Sequence, residues 1–200
     1  MKRWIAFAHV IGLGILGVAS FAPYAQGASV EASLARLGRG IDSVALTDHA
    51  GKNVRWSDLN GQPRAVFFGF TRCPVICPVT VWELDTALEK IGPAGKSMQI
   101  DFVSLDPKRD TPEILRSYFS SFKGRVRALT GTDRSLNRIA EAFEVEHRKV
   151  ALQGNDYTLD HTAAVFLLDA RGNVLDTIAY GTPQDVIVER LNRLLAPRAN

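Results

Sequence analysis

A short apolar run that leads into two cysteines most constrains the fold of this chain. Residues 65–70 (AVFFGF) form an apolar run of strand length, which is typical of a strand covered on both faces of a sheet. Cys73 and Cys77 follow this run, and helical periodicity then extends from Val79 to Ile91. The sequence therefore predicts a central strand that leads through both cysteines into a helix.

The rest of the chain predicts a mixed α/β fold with a hairpin near its N-terminal end. That hairpin is indicated by residues 43–48 and 54–59, which flank a turn. Later strands are predicted at residues 98–105, 126–129, 146–152, 163–168 and 174–179, and the strand at 146–152 begins a second hairpin with its turn at Gly154 and Asn155. Further helices are predicted at residues 112–122, 133–143 and 184–196, and their caps at Thr111, Asp133 and residues 182–185. Strands that alternate with helices indicate a mixed sheet flanked by helices.

The N-terminal residues predict export. Lys2 and Arg3 precede a long apolar stretch and a group of small residues. We interpret residues 1–27 as a signal peptide or membrane anchor, residues 28–42 as a tether and residues 43–200 as one globular domain. Either fate of the export segment places the domain outside the cytoplasm, where disulfides are permitted.

The charge balance argues against nucleic acid as a partner. The chain carries 24 lysine and arginine residues against 21 acidic residues, which gives a net charge of +3. The export segment holds two of the basic residues and no acid, so 22 basic residues face 21 acidic ones in the remainder. A nearly neutral domain without a basic run lacks the electrostatic footprint of a nucleic-acid-binding protein.

The position of the cysteines predicts reactive thiols. Free N–H groups and the helix dipole at a helix N-terminus favour a thiolate, and Arg72 adds a positive charge nearby. Thiolate is the form that binds metals and attacks disulfides. A structural disulfide is the alternative in an exported protein, but a loop this short gives the least entropic stabilisation. The spacing therefore favours a chemical role for the pair.

The best candidate for a third metal ligand is His161. It precedes a predicted strand, and groups next to strand ends in α/β sheets converge on the start of neighbouring helices. Soft thiolates select Cu(I), and a neighbouring imidazole also accommodates Cu(II). His9 lies in the export segment, while His49 and His147 lie in predicted hairpins without a partner motif. These residue types favour a copper site formed by the two cysteines and His161.

Four blocks of this sequence resemble the Sco/SenC family of copper proteins. In chain order they are residues 69–78 (GFTRCPVICP), 103–112 (VSLDPKRDTP), 129–131 (LTG) and 156–161 (DYTLDH). The resemblance spans residues 43–196 and implies a thioredoxin-like fold.

The resemblance also implies a function and a location. It implies a protein of the bacterial periplasm, released or anchored to the inner membrane, that binds copper through Cys73, Cys77 and His161. Copper would come from a donor protein and pass to the copper-receiving subunit of cytochrome c oxidase or to another cuproprotein. Family members help to assemble the dinuclear copper centre of that oxidase by delivering copper, by reducing the recipient's cysteines, or both.

The chain departs from the family pattern at two positions beside the cysteines. Many relatives carry an acidic residue between the cysteines and another after the second proline, where this chain has Val75 and Val79. We expect the three ligands to stay intact while the polarity of the site and the docking of partners change. Residues 106–112 are interpreted as a strand end and a helix cap, and the alternative is that Asp106 or Arg109 borders the site.

Two other functions fit the cysteine pair. One is a thiol-disulfide reductase, in which Cys73 attacks and Cys77 resolves the mixed disulfide. The other is a thiol peroxidase, which needs only a reactive thiolate. Ordinary thioredoxins have CxxC and a proline before the following strand, whereas this chain has CxxxC and an Asp160-His161-Thr162 segment. A general disulfide exchanger therefore fits less well.

Overall fold

The computed structural model describes residues 25–122 and 125–196 of the chain. The described residues form a mixed α/β fold, as predicted. The elements in chain order are α1 (Ala25–Leu34), β1 (Ala45–Asp48), β2 (Asn53–Arg55), β3 (Arg64–Gly69), α2 (Ile76–Ile91), β4 (Gln99–Ser104), α3 (Pro112–Tyr118), β5 (Val126–Thr130), α4 (Asp133–Ala142), β6 (His147–Ala151), β7 (Tyr157–His161), β8 (Ala164–Leu168), β9 (Val174–Ala179) and α5 (Gln184–Leu195).

A seven-stranded sheet organises the described residues. Its strand order is β2-β1-β5-β4-β3-β8-β9. The strand before the cysteines, β3, pairs in parallel with β4 and antiparallel with β8, and all six of its residues are buried. The prediction of a central strand covered on both faces is therefore confirmed. Helices α2 and α5 lie against each other, and α3 lies against β5.

A separate two-stranded hairpin stands beside the main sheet. It consists of β6 and β7, which pair antiparallel with each other. At its tip Gly154 and Asn155 have φ values of 71° and 64°. This left-handed conformation favours glycine and is adopted by asparagine more readily than by most residues. The predicted turn at these residues is confirmed.

Several local predictions differ from the structure. The helix predicted at 112–122 ends at Tyr118, and a 3-10 turn, Ser120–Phe122, follows it. The second half of the predicted strand at 54–59 is a 3-10 helix, Trp56–Leu59, because the three-residue spacing of Trp56 and Leu59 buries both on one side of a helical turn. Thr132, and not Asp133, caps α4 by accepting a hydrogen bond from the Ser135 N–H. Pro183 precedes α5 without a side-chain cap.

Part of the segment predicted as a tether, residues 28–42, is packed. Leu34 and Leu37 lie against the core, and Ile41 is 1% exposed. Most of the export segment predicted at 1–27 lies outside the described residues. Within residues 25–122 and 125–196, no helix has the length and apolar character that a membrane span requires.

A buried ion pair joins three neighbouring strands of the main sheet. Arg64 of β3 and Asp101 of β4 are both fully buried, with Nη1 3.2 Å from Oδ2. Arg127 of β5 donates from Nε to Asp101 Oδ1 at 2.8 Å and from Nη2 to Oδ2 at 3.0 Å. Removing one partner of a buried pair leaves an uncompensated charge, which costs about 3–5 kcal/mol.

We expect Asp101→Ala to lower the free energy of unfolding by about 3–5 kcal/mol, because the charge of Arg64 loses its buried partner. Urea-induced unfolding of the metal-free protein measures this change. The matched control is Glu189→Ala, which breaks the exposed pair between Glu189 and Arg193 and should cost less than about 1 kcal/mol. Similar losses for the two variants would contradict the assignment.

Candidate metal centre

The turn that follows β3 holds Cys73 at the start of α2. The Cys73 N–H donates to the Phe70 carbonyl at 3.1 Å, and the side chain is 8% exposed. Helix α2 begins at Ile76, three residues before the predicted start at Val79. The early start is compatible with Pro78, because residues of the first helical turn need no N–H donor.

Cys77 lies in the first turn of α2 and is fully buried. Its backbone N–H donates to Cys73 Sγ at 3.4 Å, so a free N–H of the helix start points at the first sulfur. Both cysteines are free thiols in the structure. The backbone of Gly69 lies close behind, since a Cβ there would be 2.7 Å from Cys77 Sγ.

His161 is the last residue of β7 and comes to the cysteines from the separate hairpin. The sequence instead placed it in a connection next to a strand of the main sheet. Its Nε2 lies 3.8 Å from Cys77 Sγ, and its Nδ1 lies 3.0 Å from the Thr162 carbonyl oxygen. A carbonyl oxygen only accepts, so Nδ1 carries a proton, which leaves Nε2 as the ring atom that can bind a metal ion.

The structure thus brings the three predicted residues together. One sulfur of each cysteine and one ring nitrogen of His161 all lie within 4.8 Å of one another. Bonds of about 2.0–2.3 Å to a single ion would place such atoms about 3.5–4 Å apart. Two sulfurs and an imidazole nitrogen therefore fit one soft metal ion after small side-chain adjustments.

The thiols share one proton unequally. The pKa of Cys73 is lowered to about 4, chiefly because the Cys77 thiol donates a hydrogen bond to it; contacts with His161 and with backbone N–H groups add to this against the cost of burial. The pKa of Cys77 is raised, because its proton is held in that hydrogen bond and because the side chain is buried. Cys73 is therefore the thiolate and Cys77 the neutral donor.

Arg72 makes an exposed ion pair with the hairpin. Its side chain is 58% exposed and lies 3.5 Å from the Asp156 carboxylate of the hairpin. The thiolate of Cys73 is stabilised chiefly by the neighbouring thiol, imidazole and backbone N–H groups.

Asp110 supports the site from behind and was not predicted to do so. It is fully buried and accepts hydrogen bonds from Thr71 N, from Thr71 Oγ1 at 2.6 Å and from Ser104 Oγ at 2.7 Å. Thr71 is two residues before Cys73, so these hydrogen bonds hold the start of the turn that carries Cys73. In the sequence, Asp110 was marked only by its place in the 103–112 block. The predicted cap of α3, Thr111, is confirmed, because its side chain accepts a hydrogen bond from the Ile114 N–H.

Asp106 and Arg109 contact the hairpin that carries His161. The Tyr157 hydroxyl donates to Asp106 Oδ1 at 2.6 Å, and Arg109 Nη1 donates to the Tyr157 carbonyl at 2.8 Å. Asp106 and Arg109 thus contact the candidate site indirectly, through β7.

The other described histidines do not join the group. The Ala128 N–H donates to His49 Nδ1 at 3.0 Å, and His147 stands opposite His161 in the register of β6 and β7. Within the described part of the chain, Cys73, Cys77 and His161 are the one cluster of three metal-ligating side chains. An open groove of about 240 Å³, lined in part by Cys73, Val75 and His161, leads to the cluster.

Comparisons with known proteins indicate the family of this chain. The family model described as SCO1/SenC matches residues 40–196. The SCO2-like protein of Rickettsia felis is 32% identical over 132 residues, which cover 65% of this chain and 64% of that protein. The chain thus spans less than two thirds of the length of this curated relative.

Solved structures of copper-bound proteins resemble the fold closely. Bradyrhizobium japonicum ScoI with copper bound is 32% identical and has a TM-score of 0.69, with 76% of this chain and 96% of that chain covered. Arabidopsis thaliana ScoI with copper bound is 28% identical and has a TM-score of 0.71, with 76% and 94% covered. These likenesses bear out the thioredoxin-like fold, and with the family match over residues 40–196 they show that the chain belongs to the SCO1/SenC family.

Proposed function

We propose that this protein is a copper chaperone that carries Cu(I) on Cys73, Cys77 and His161. The observation that carries the proposal is the convergence of two sulfurs and one imidazole nitrogen within 4.8 Å. Thiolates select Cu(I), and imidazole is a good ligand for copper in both common oxidation states. The copper-bound relatives from Bradyrhizobium and Arabidopsis support copper as the metal.

The position of the ligands suits transfer by ligand exchange. Cys77 is fully buried, whereas Cys73 and His161 line the groove and can be approached from outside. A partner's cysteine that reaches Cys73 would displace one ligand at a time. We propose a donor protein that loads the site, and as recipient the copper-receiving subunit of cytochrome c oxidase or another cuproprotein.

The proposed location is the bacterial periplasm. Its support is the charged and apolar N-terminal sequence together with the bacterial relatives. Residues 1–27 would anchor the protein to the inner membrane if they are not cleaved.

The surface beside the ligands is apolar where relatives carry acids. Val75 is 54% exposed and lines the groove, and Val79 follows one turn later in α2. Neither side chain replaces a ligand atom, so the proposed ligand set is independent of them. At these two positions a docking partner meets apolar side chains, while Asp160 also lines the groove.

His161→Ala is expected to weaken Cu(I) binding at least about 100-fold, because even groups that only orient a ligand are worth about 10- to 100-fold. Cys77→Ser should weaken it similarly. The measurement is competition between the reduced protein and a Cu(I) chelator of known affinity.

The matched control is His147→Ala, which removes the same side chain from the position opposite His161 in the hairpin. Its Cu(I) affinity should stay close to that of the wild type. Unchanged affinity in either His161→Ala or Cys77→Ser would rule out the proposed ligand set.

A second candidate function, thiol-disulfide reduction, is favoured by the thiolate of Cys73. Cys73 would attack a partner's disulfide, forming a mixed disulfide and releasing one partner thiolate. Cys77 would then lose its proton and attack the Cys73 sulfur, forming the Cys73–Cys77 disulfide and releasing the second thiolate. Two electrons pass to the partner, and an external thiol reductant would restore the pair.

In metal-free protein, the ultraviolet absorbance of the thiolate is expected to persist on acidification and to disappear only as pH falls through about 4, the pKa of Cys73. An unperturbed cysteine would lose it near pH 8.5. Cys77→Ala removes the hydrogen bond that contributes most and should move the transition to higher pH, whereas Cys77→Ser retains a donor and should move it less. A wild-type transition near pH 8.5 would contradict the assignment of Cys73 as the thiolate.

The reductase candidate predicts that Cys77→Ser, with copper withheld, accumulates a mixed disulfide through Cys73, because the resolving thiol is gone. Mass spectrometry of the protein after incubation with a disulfide-bonded peptide detects the adduct. Cys73→Ser is the control and should form much less adduct through the buried Cys77. Equal yields from both variants would eliminate this mechanism.

A further inference from the structure

The turn between β4 and α3 contacts both halves of the metal centre. Through Asp110 it binds Thr71, which leads into the cysteine turn. Through Asp106 and Arg109 it binds the first residue of β7, the strand that ends at His161. One short segment thus contacts the chain next to the thiols and the strand that carries the imidazole.

The hairpin needs such a contact because it lacks backbone pairing with the main sheet. Its two strands pair only with each other among the described strands. An isolated two-stranded hairpin is at best marginally stable in water. The position of His161 therefore depends on how side chains of β7 hold the hairpin to the domain.

Alternate residues of β7 face the domain. Tyr157, Leu159 and His161 share one side of the strand, as residues two and four apart do. Leu159 is buried in the core, while Tyr157 and His161 are partly buried at the two ends. Four residues of strand separate those ends by about 13 Å. Fixing Tyr157 therefore fixes the strand along which His161 is placed.

Tyr157 makes several contacts with charged side chains. Its hydroxyl donates to Asp106 at 2.6 Å, and Arg109 donates to its carbonyl at 2.8 Å. Arg109 also donates to Asp156 Oδ1 at 2.9 Å and to Asp106, and its guanidinium carbon lies 3.7 Å from the centre of the Tyr157 ring. Hydrogen bonds to charged groups are worth more than neutral ones, about 1.5–3 kcal/mol.

We propose that Asp106, Arg109 and Tyr157 form a clamp that positions His161 against the thiols. They are positioning residues, since none is a ligand in the proposed set. Asp110 holds the cysteine side of the same arrangement through Thr71. The effect of the clamp on metal affinity rests on the proposed function, whereas its effect on β7 does not.

The first test reads the clamp in metal-free protein. Tyr157→Phe keeps the ring and removes only the hydroxyl that binds Asp106. We expect amide hydrogen exchange in β7 to accelerate at least about tenfold and the ring resonances of His161 to shift, with exchange in β3 and β4 unchanged. Tyr180→Phe, at an exposed tyrosine outside the clamp, is the matched control and should change neither. Wild-type exchange in β7 of Tyr157→Phe would overturn the proposal.

The second test asks whether the clamp acts through His161. Tyr157→Phe is expected to weaken Cu(I) binding about 5- to 10-fold in the wild-type background. In the His161→Ala background it should have no further effect, because the group that it positions is absent. Equal weakening in both backgrounds would overturn the proposal, since it would show an effect on the thiols or on the fold as a whole.

The two arms separate failure of the clamp from failure of the ligand set. If His161→Ala binds Cu(I) as tightly as the wild type, the proposed ligand set is wrong. The hydrogen-exchange measurement uses metal-free protein, so it still tests whether the clamp positions β7.

Discussion

The close approach of Cys77 to the backbone of β3 is the constraint on which the candidate metal centre depends. A Cβ at residue 69 would lie 2.7 Å from Cys77 Sγ and 2.9 Å from Phe102 Cε2, so glycine lets α2 begin this close to the sheet. That start aims the Cys77 N–H at Cys73 Sγ, 3.4 Å away, and brings Cys77 Sγ within 3.8 Å of His161 Nε2. A helix displaced outward would lose both relations.

The sequence predicted what local patterns can encode. The apolar run of β3, the helix after it and the strands β8 and β9 follow from periodicity and turn residues in neighbouring positions. Turn residues also predicted a hairpin at β6, but not its separation from the main sheet. No local pattern encodes that separation, because the place of the mostly polar strand that carries His161 depends on contacts far along the chain. Tyr157 and Asp106 are 51 residues apart, and Thr71 and Asp110 are 39 apart. Their pairing appears only once the fold brings them together.

The Cys77 proton links the two proposed chemistries of the sulfur pair, Cu(I) binding and disulfide exchange. Without metal, one thiolate and one neutral thiol give the pair a charge of minus one, by the pKa directions of Cys73 and Cys77. Exchange of the Cys77 proton for Cu(I), a monovalent ion, leaves that charge unchanged, since metal binding to a thiol releases its proton. Because the net charge of the buried pair stays the same, the charged groups around it need not rearrange when the metal ion binds. The same proton must leave before Cys77 can act in disulfide chemistry.

The distance in sequence between Cys77 and His161, 84 residues, ties the ligand set to completion of the fold. In an unfolded chain the two sulfurs are still close together, but the imidazole is not held beside them. Bringing it there would close a long loop and cost conformational entropy, whereas the folded protein already holds the three groups together. A metal ion that engages all three groups therefore favours the native state over the unfolded one by mass action. Binding of a metal ion at full affinity is then restricted to molecules whose hairpin has docked, so the ion distinguishes folded molecules from chains that are still folding.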